Sequence, residues 1–353
     1  MDIKTYQHTI DQPIDCQIQH LDDIMQTAGL SLSAYQIFGL SEGIGFSIEQ
    51  VKLNGFPYLI ILGRSRTNLE TLCSKFSISY RTGKMTDPQE FKALVASTKN
   101  TNRIVLAYTD RFYLTYVNQH LAKNDTYFTP QHFSAHLIAV LDYSEGVYRV
   151  FDLFSKHVEL VPEAEMQEAR TARWDVYPPL GKYLLITIPH LDRRNFDLTR
   201  MTINSIIANC RRMLAEDDSN AGIAGLRLLA KESKSFVPIN TSLYQSALRF
   251  QFGVLGVLIN EFEMTGSLYR EVYARFLDES AALGATYESL KSSAKELHSL
   301  GKRWKSFGLS LQSDDVRRVA QTFSPTINKL AEDELTCWKN LLKRAETIRD
   351  DMS

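Results

Sequence analysis

A chain of 353 residues is longer than one ordinary core and predicts two domains. Its 44% hydrophobic and 23% charged content is that of a globular protein, and a formal net charge of -1 argues against a dedicated nucleic-acid binder. No apolar run reaches the roughly 20 residues of a membrane span. The polar start Met-Asp-Ile-Lys-Thr-Tyr-Gln-His has no signal-peptide core, so a cytoplasmic location away from membranes is expected.

The first predicted helix opens at Cys16 and runs through Ile18, Leu21, Ile24 and Met25. Ser31 or Ser33 caps a short helix over 34–40. Gly39, Gly43 and Gly45 then mark a sharply turning loop. A buried strand is expected over 56–63, a helix over 68–77 and a short strand over 79–82. Asp87 and Pro88 are an N-cap and first helical residue. Strands follow over 103–108, 136–143, 147–152 and 158–161, with Ser144-Glu-Gly146 as a hairpin turn. Asp142 reads as a turn residue. A helix over 166–173 and a strand from Tyr183 close the mixed half.

Beyond Pro189 the pattern is helical to the end, in segments 198–216, 221–233, 243–265, 268–283, 286–306 and 313–349. Pro238 and Pro325 are expected to break or kink this run. The expectation is an α+β domain with an antiparallel sheet over 1–190, followed by an all-α domain of four to six helices over 191–353.

The four cysteines, Cys16, Cys73, Cys210 and Cys337, are widely spaced and contain no C-x-x-C pair. They fit neither a disulfide framework nor a zinc ribbon. Three read as small buried hydrophobes. Cys16 differs because a helix N-terminus stabilises a thiolate, the reactive form. His136 opens one strand of a predicted hairpin and Asp152 closes the other, so the two should lie side by side. His136 can then act as the base, with Asp152 fixing its tautomer. This is how papain-like folds build a cysteine nucleophile. The catalytic candidates are therefore Cys16, His136 and Asp152.

The second oxyanion donor is open between Gln12, Gln7 and the backbone of the Gly43–Gly45 loop. A zinc set of Cys16, His20, His132 and His136 is the competing reading. It is disfavoured because His132 and His136 bracket a strand start rather than share a helix face, and no H-E-x-x-H pattern is present. No metal is expected, and His20 reads as a helix-surface group or one supporting the site from behind.

Three stretches carry a family resemblance. They are Cys16 with Phe38-Gly-Leu-Ser-Glu-Gly-Ile-Gly-Phe46, then Asp110-Arg-Phe-Tyr-Leu-Thr-Tyr116, then His132-Phe-Ser-Ala-His136 closing at Val150-Phe-Asp152. The chain resembles the butirosin biosynthesis protein H family. Its second half, at Gly266-Ser-Leu-Tyr-Arg-Glu-Val-Tyr-Ala-Arg-Phe-Leu277 and Trp304, is similar to the helical domain that commonly follows. The resemblance implies a papain-like fold and transfer of an acyl group from a carrier protein to an amine. Asp110 and Tyr113 become substrate-binding candidates. Two departures stand out. Gln17 follows the cysteine where the family often has a small residue, and Leu141 stands where related sequences tend to have glycine.

The implied enzyme needs no cofactor of its own, because the donor protein carries the phosphopantetheine. Its partners are an acyl carrier protein and a small amine acceptor, with neither nucleic acid nor membrane. Arg193-Arg194, Arg211-Arg212, Lys302-Arg303-x-Lys305 and Arg317-Arg318 are candidate docking pairs for an acidic carrier. The long helices could also bury a homodimer face. Two other functions use the same residues differently: a peptidase, amidase or cyclase with the same triad, and a non-catalytic binding module in a biosynthetic complex.

Overall fold

The computed structural model describes residues 14–53, 56–124, 130, 132–133, 136–173, 177–236, 242–260 and 266–352. The first elements are α1 (Cys16–Thr27), α2 (Ala34–Leu40), β1 (Ile44–Leu53), β2 (Phe56–Arg64), α3 (Asn68–Lys75) and β3 (Ser79–Lys84). They are followed by α4 (Pro88–Ala96), β4 (Arg103–Thr109), α5 (Thr115–Asn124), β5 (His136–Ser144), β6 (Val147–Asp152), β7 (Ser155–Pro162), α6 (Glu163–Thr171) and β8 (Lys182–Thr187). The remainder is helical: α7 (Leu198–Leu214), α8 (Gly222–Glu232), α9 (Ser242–Asn260), α10 (Arg270–Ala281), α11 (Leu290–Ser310) and α12 (Val316–Asp351).

Contacts divide the chain into two compact units, Met1–Ala34 with Leu72–Asn195, and Tyr35–Thr71 with Phe196–Ser353. One cut between them falls after Asn195. Residues 35–71 depart from a linear division, because they group with the helices.

In the first unit, β3 to β8 form one antiparallel sheet in the order β3-β8-β4-β5-β6-β7. Alternation puts Val105, Ala107, Ile138, Val140, Tyr148 and Val150 in one buried cluster. Phe91 and Val95 of α4, Val117 of α5 and Met166 of α6 pack into the same cluster. Helix α4 starts as the sequence predicts: Asp87 Oδ1 accepts the amides of Gln89 and Glu90 at 2.8 and 2.9 Å. The β5–β6 turn is Glu145-Gly146, with φ of +51° and +82°, the left-handed pair that a two-residue hairpin needs. The pairing register shifts between Val140 and Asp142, which makes Leu141 the bulged residue. Asp142 lies inside β5 and pairs with Arg149 at 3.2 Å, so its reading as a turn residue is corrected.

In the second unit, β1 pairs antiparallel with β2. Strand β1 is not among the predicted elements, because Gly43 and Gly45 read as a loop. Both outer edges of this ribbon are occupied. Ile48 N–H donates to Asn220 O at 2.9 Å on the β1 side. On the β2 side, the Gln251 amide of α9 accepts from Leu59 N at 2.7 Å and donates to Leu59 O at 3.0 Å. A side-chain amide thus takes the place of a third strand and protects the edge.

Pro325 lies within α12, which runs on as one helix, so of the expected break or kink the break does not occur there. Pro238 lies outside the described residues. Before α10, Gly266, Ser267, Leu268 and Tyr269 all have positive φ, of +62°, +51°, +49° and +64°. Three of the four are not glycine, so this left-handed turn is strained. Buried contacts hold it. Gly63 packs on Leu268, where a Cβ would stand 2.6 Å from the Leu268 carbonyl oxygen. Tyr269 stacks on Phe38 with ring centroids 5.3 Å apart. Arg270, fully buried, donates to Leu268 O at 2.7 Å and Gly45 O at 2.9 Å. It also forms a two-pronged pair with Glu334 at 2.8 and 2.9 Å. Glu334 in turn accepts from the indoles of Trp304 and Trp338 at 2.6 and 3.0 Å.

Candidate active site

Helix α1 begins where the sequence places it. Asp15 is its N-cap, in extended conformation, and its Oδ1 accepts from Ile18 N at 2.7 Å. Cys16 therefore sits in the first helical turn, whose N–H groups have no acceptor within their own helix and carry the positive end of the dipole. The thiol residue is 2% exposed. Cys16 to Met25 are all buried, although Gln17, Gln19, His20, Asp22 and Asp23 are polar. Burial of such residues requires partners. Gln19 donates to Asp23 at 3.1 Å, Gln26 to Asp22 at 2.9 Å and Gln17 to the Tyr108 hydroxyl at 3.4 Å.

His136 is the first residue of β5 and lies opposite Thr109 of β4. Its Nε2 is 2.8 Å from Asp152 Oδ2, with both side chains buried. They do not stand side by side as expected. Ala139 pairs with Phe151, so the same register carried one residue further sets Asp152 opposite Ile138. His136 and Asp152 are diagonal neighbours on one face, a separation that long side chains span. Phe154, two residues past Asp152, takes the place beside the imidazole, with ring centroids 5.5 Å apart.

Asp152 Oδ2 also accepts from the Tyr116 hydroxyl of α5. Burial pushes the Asp152 carboxyl up, but the charge and hydrogen bond of His136, the Tyr116 bond and the charge of His20 together hold it below its ordinary value. An ionised carboxylate only accepts, so the proton between it and His136 resides on Nε2. Burial, with Asp152 adding to it, raises the Tyr116 hydroxyl well above the usual phenol value. Tyr116 therefore stays a donor. Its contact with Asp152 has no signature in residue spacing, and it was missed as a site residue although it closes one of the quoted stretches.

The other site candidates go elsewhere. His20 is fully buried, not a helix-surface group. Its Nε2 lies 3.0 Å from Leu137 O, on the residue after His136. Asp110 is fully buried and occupied: its carboxylate accepts from Phe112 N at 3.1 Å, Phe133 N at 3.0 Å and pairs with His132 Nδ1 at 2.7 Å. It ties the end of β4 to the segment entering β5. Tyr113 packs edge-on against Phe112, with centroids 5.2 Å apart. Gly43 N–H donates to Phe38 O at 2.8 Å, and Gly45 O accepts from Arg270. Both glycines thus have structural roles in the second unit, and the Gly43 amide is committed. Gln7 and Gln12 lie outside the described residues.

The four residues of the zinc reading do not converge, since His20, His132 and His136 each bond a different partner. Among the described residues no group of three His, Cys, Asp or Glu side chains is placed to hold a metal ion. Of the basic pairs, Arg194 binds Asp192 at 2.6 Å and Arg211 binds Glu346 at 2.8 Å. Arg212 clamps Ile44 O at 2.8 Å and Asn209 at 2.6 Å, a structural role. No helix among the described residues is long and apolar enough to cross a membrane.

The molecule is thus a mixed α+β chain with a sheet-bearing N-terminal part and a largely helical C-terminal region. The sequence model described as Butirosin biosynthesis protein H, N-terminal, matches residues 15–153, and a domain of unknown function, DUF4872, matches 164–341. The chain belongs to the butirosin biosynthesis protein H family, with its N-terminal domain followed by that second domain. No curated protein matches it.

Proposed function

We propose that the protein is a cysteine-dependent acyltransferase of antibiotic biosynthesis. The observation that carries this reading is the buried His136–Asp152 bond in the same compact unit as a thiol at the head of a helix. Family membership supports the biosynthetic role. With Nε2 donating to Asp152, Nδ1 is the nitrogen left to take the Cys16 proton. The thiolate attacks the carbonyl of a carrier-bound acyl thioester. The pantetheine thiol leaves with the proton that His136 returns, and Cys16 holds the acyl group. An amine then attacks this second thioester, loses its proton through His136, and leaves as an amide with the Cys16 thiol restored.

Cys16 and His136 are each only 2% exposed. A pantetheine arm must displace what covers the thiol, and the covered site would keep water from hydrolysing the acyl-enzyme. Phosphopantetheine arrives on the donor, and the enzyme acts in the cytoplasm on a soluble carrier and a small amine.

Intact-mass measurement after incubation with an acyl-loaded carrier tests this. An acyl adduct on Cys16, discharged by an amine and absent in Cys16→Ala, is the expected result. Cleavage of an amide substrate without a carrier would make the enzyme a peptidase or amidase. No adduct with any thioester or amide would leave a binding module.

A further inference from the structure

His20 makes a bond that constrains its chemistry. Its Nε2 is 3.0 Å from the Leu137 carbonyl, and a carbonyl oxygen only accepts, so Nε2 carries a proton. The ring is fully buried, and Nδ1 has no hydrogen-bond partner. Its nearest charged neighbour on α1 is Asp23, with Oδ2 at 3.8 Å, beyond hydrogen-bond reach. From β6, the charge of Asp152 also acts on it. A buried imidazole with one orphaned nitrogen costs stability, so a leucine would serve better if packing were the only task.

Position explains what the bond does. His20 is four residues after Cys16, one turn along the same helix face, where side chains lean toward the helix N-terminus. The carbonyl it holds belongs to the residue next to His136. One hydrogen bond therefore joins the turn that carries the thiol to the strand that carries the base.

Resting on the acyltransfer reading, we infer that His20 is a positioning residue: its Nε2–H bond to Leu137 O sets the Cys16 turn of α1 against the start of β5, so that thiol and imidazole meet. His20 touches no substrate and holds no transferred proton.

The test compares wild type with His20→Leu, which removes the donor, and His20→Gln, whose amide puts an N–H near the place of Nε2. Two readouts are needed. One is the pH dependence of Cys16 alkylation by iodoacetamide, followed by peptide mass. The other is kcat and KM for acyl transfer. His20→Leu should lower kcat by about 100-fold with KM nearly unchanged, the loss that about 1 Å of misplacement can produce. Its alkylation curve should move to higher pH, because the thiolate loses its imidazolium partner. His20→Gln should restore both toward wild type. Where His20→Leu does not fold, His20→Asn replaces it, polar but too short to reach the carbonyl.

A folded Leu or Asn variant with the wild-type alkylation curve and kcat overturns the inference, and so does a Gln variant no better than Leu. Alkylation needs no acyl donor. If wild type never transfers an acyl group yet the curve still shifts, the acyltransfer reading fails and the positioning role stands.

Discussion

At the residue scale, Asp152 is the group most sensitive to its surroundings. One of its oxygens takes both His136 and Tyr116. An unfolded aspartate titrates at about 3.9, and this one is held lower in the fold. A depressed carboxylate contributes stability that is complete above the unfolded value and is lost as pH falls through the folded one. The difference in urea midpoint between wild type and Asp152→Asn should therefore be largest near neutrality and shrink below about pH 4. A difference that grows on acidification would contradict the assignment. On activity, Asp152→Asn should lower kcat by roughly 10³–10⁴-fold through the wrong imidazole tautomer.

The His136–Asp152 pairing was legible from two strand patterns and one turn. Its diagonal geometry was not, because it depends on the bulge at Leu141. Tyr116 and His20 were hidden for a different reason. Their partners are a carboxylate and a backbone carbonyl far along the chain, and no local spacing encodes such a contact.

At the element scale, α1 and the β1–β2 ribbon show the two extremes. Helix α1 starts where its apolar period starts, and Asp15 caps it. Asp15→Ala should cost about 1 kcal/mol, whereas Asp15→Asn should cost little, since asparagine caps equally well. Thermal melts of the two variants separate the cap from the charge. Strand β1 was unread because Gly43 and Gly45 suggest a loop. Yet Phe46 and Ile48 are buried while Ser47 and Glu49 are half-buried, the alternation a strand requires. Gly45 answers a close approach: a Cβ there would lie 3.0 Å from the Arg64 carbonyl carbon. Helix α5 was unread because Thr115-Tyr-Val-Asn-Gln-His-Leu-Ala-Lys-Asn124 shows only a thin apolar stripe.

At the scale of the whole molecule, the second unit is organised around the Arg270–Glu334 pair. Both side chains are fully buried, and each has further partners. Breaking such a pair from one side leaves an uncompensated charge, at a cost of about 3–5 kcal/mol. Glu334→Leu should unfold this unit at correspondingly lower urea, read from Trp304 and Trp338 fluorescence, since both indoles lose their acceptor. Unchanged midpoints would show that the pair contributes nothing net. The helices were legible from their 3.6-residue period. That residues 35–71 would join them was not, because a local pattern does not say which distant surface will cover it.

That discontinuity also sets a timetable. Ribosomes deliver the β1–β2 ribbon early, with Ile44, Phe46, Ile48, Leu59 and Ile61 facing no partner. The Gln251 amide that seals Leu59, and the helices that cover those side chains, emerge well over a hundred residues later. At ~5–20 residues per second the wait is on the order of 10–40 s. During that interval the two-stranded ribbon has open edges and an uncovered apolar face, the state in which strands pair with other chains. A chain terminated at Asn195 would carry the same exposed ribbon permanently, and is expected to aggregate even though every strand of the six-stranded sheet is present.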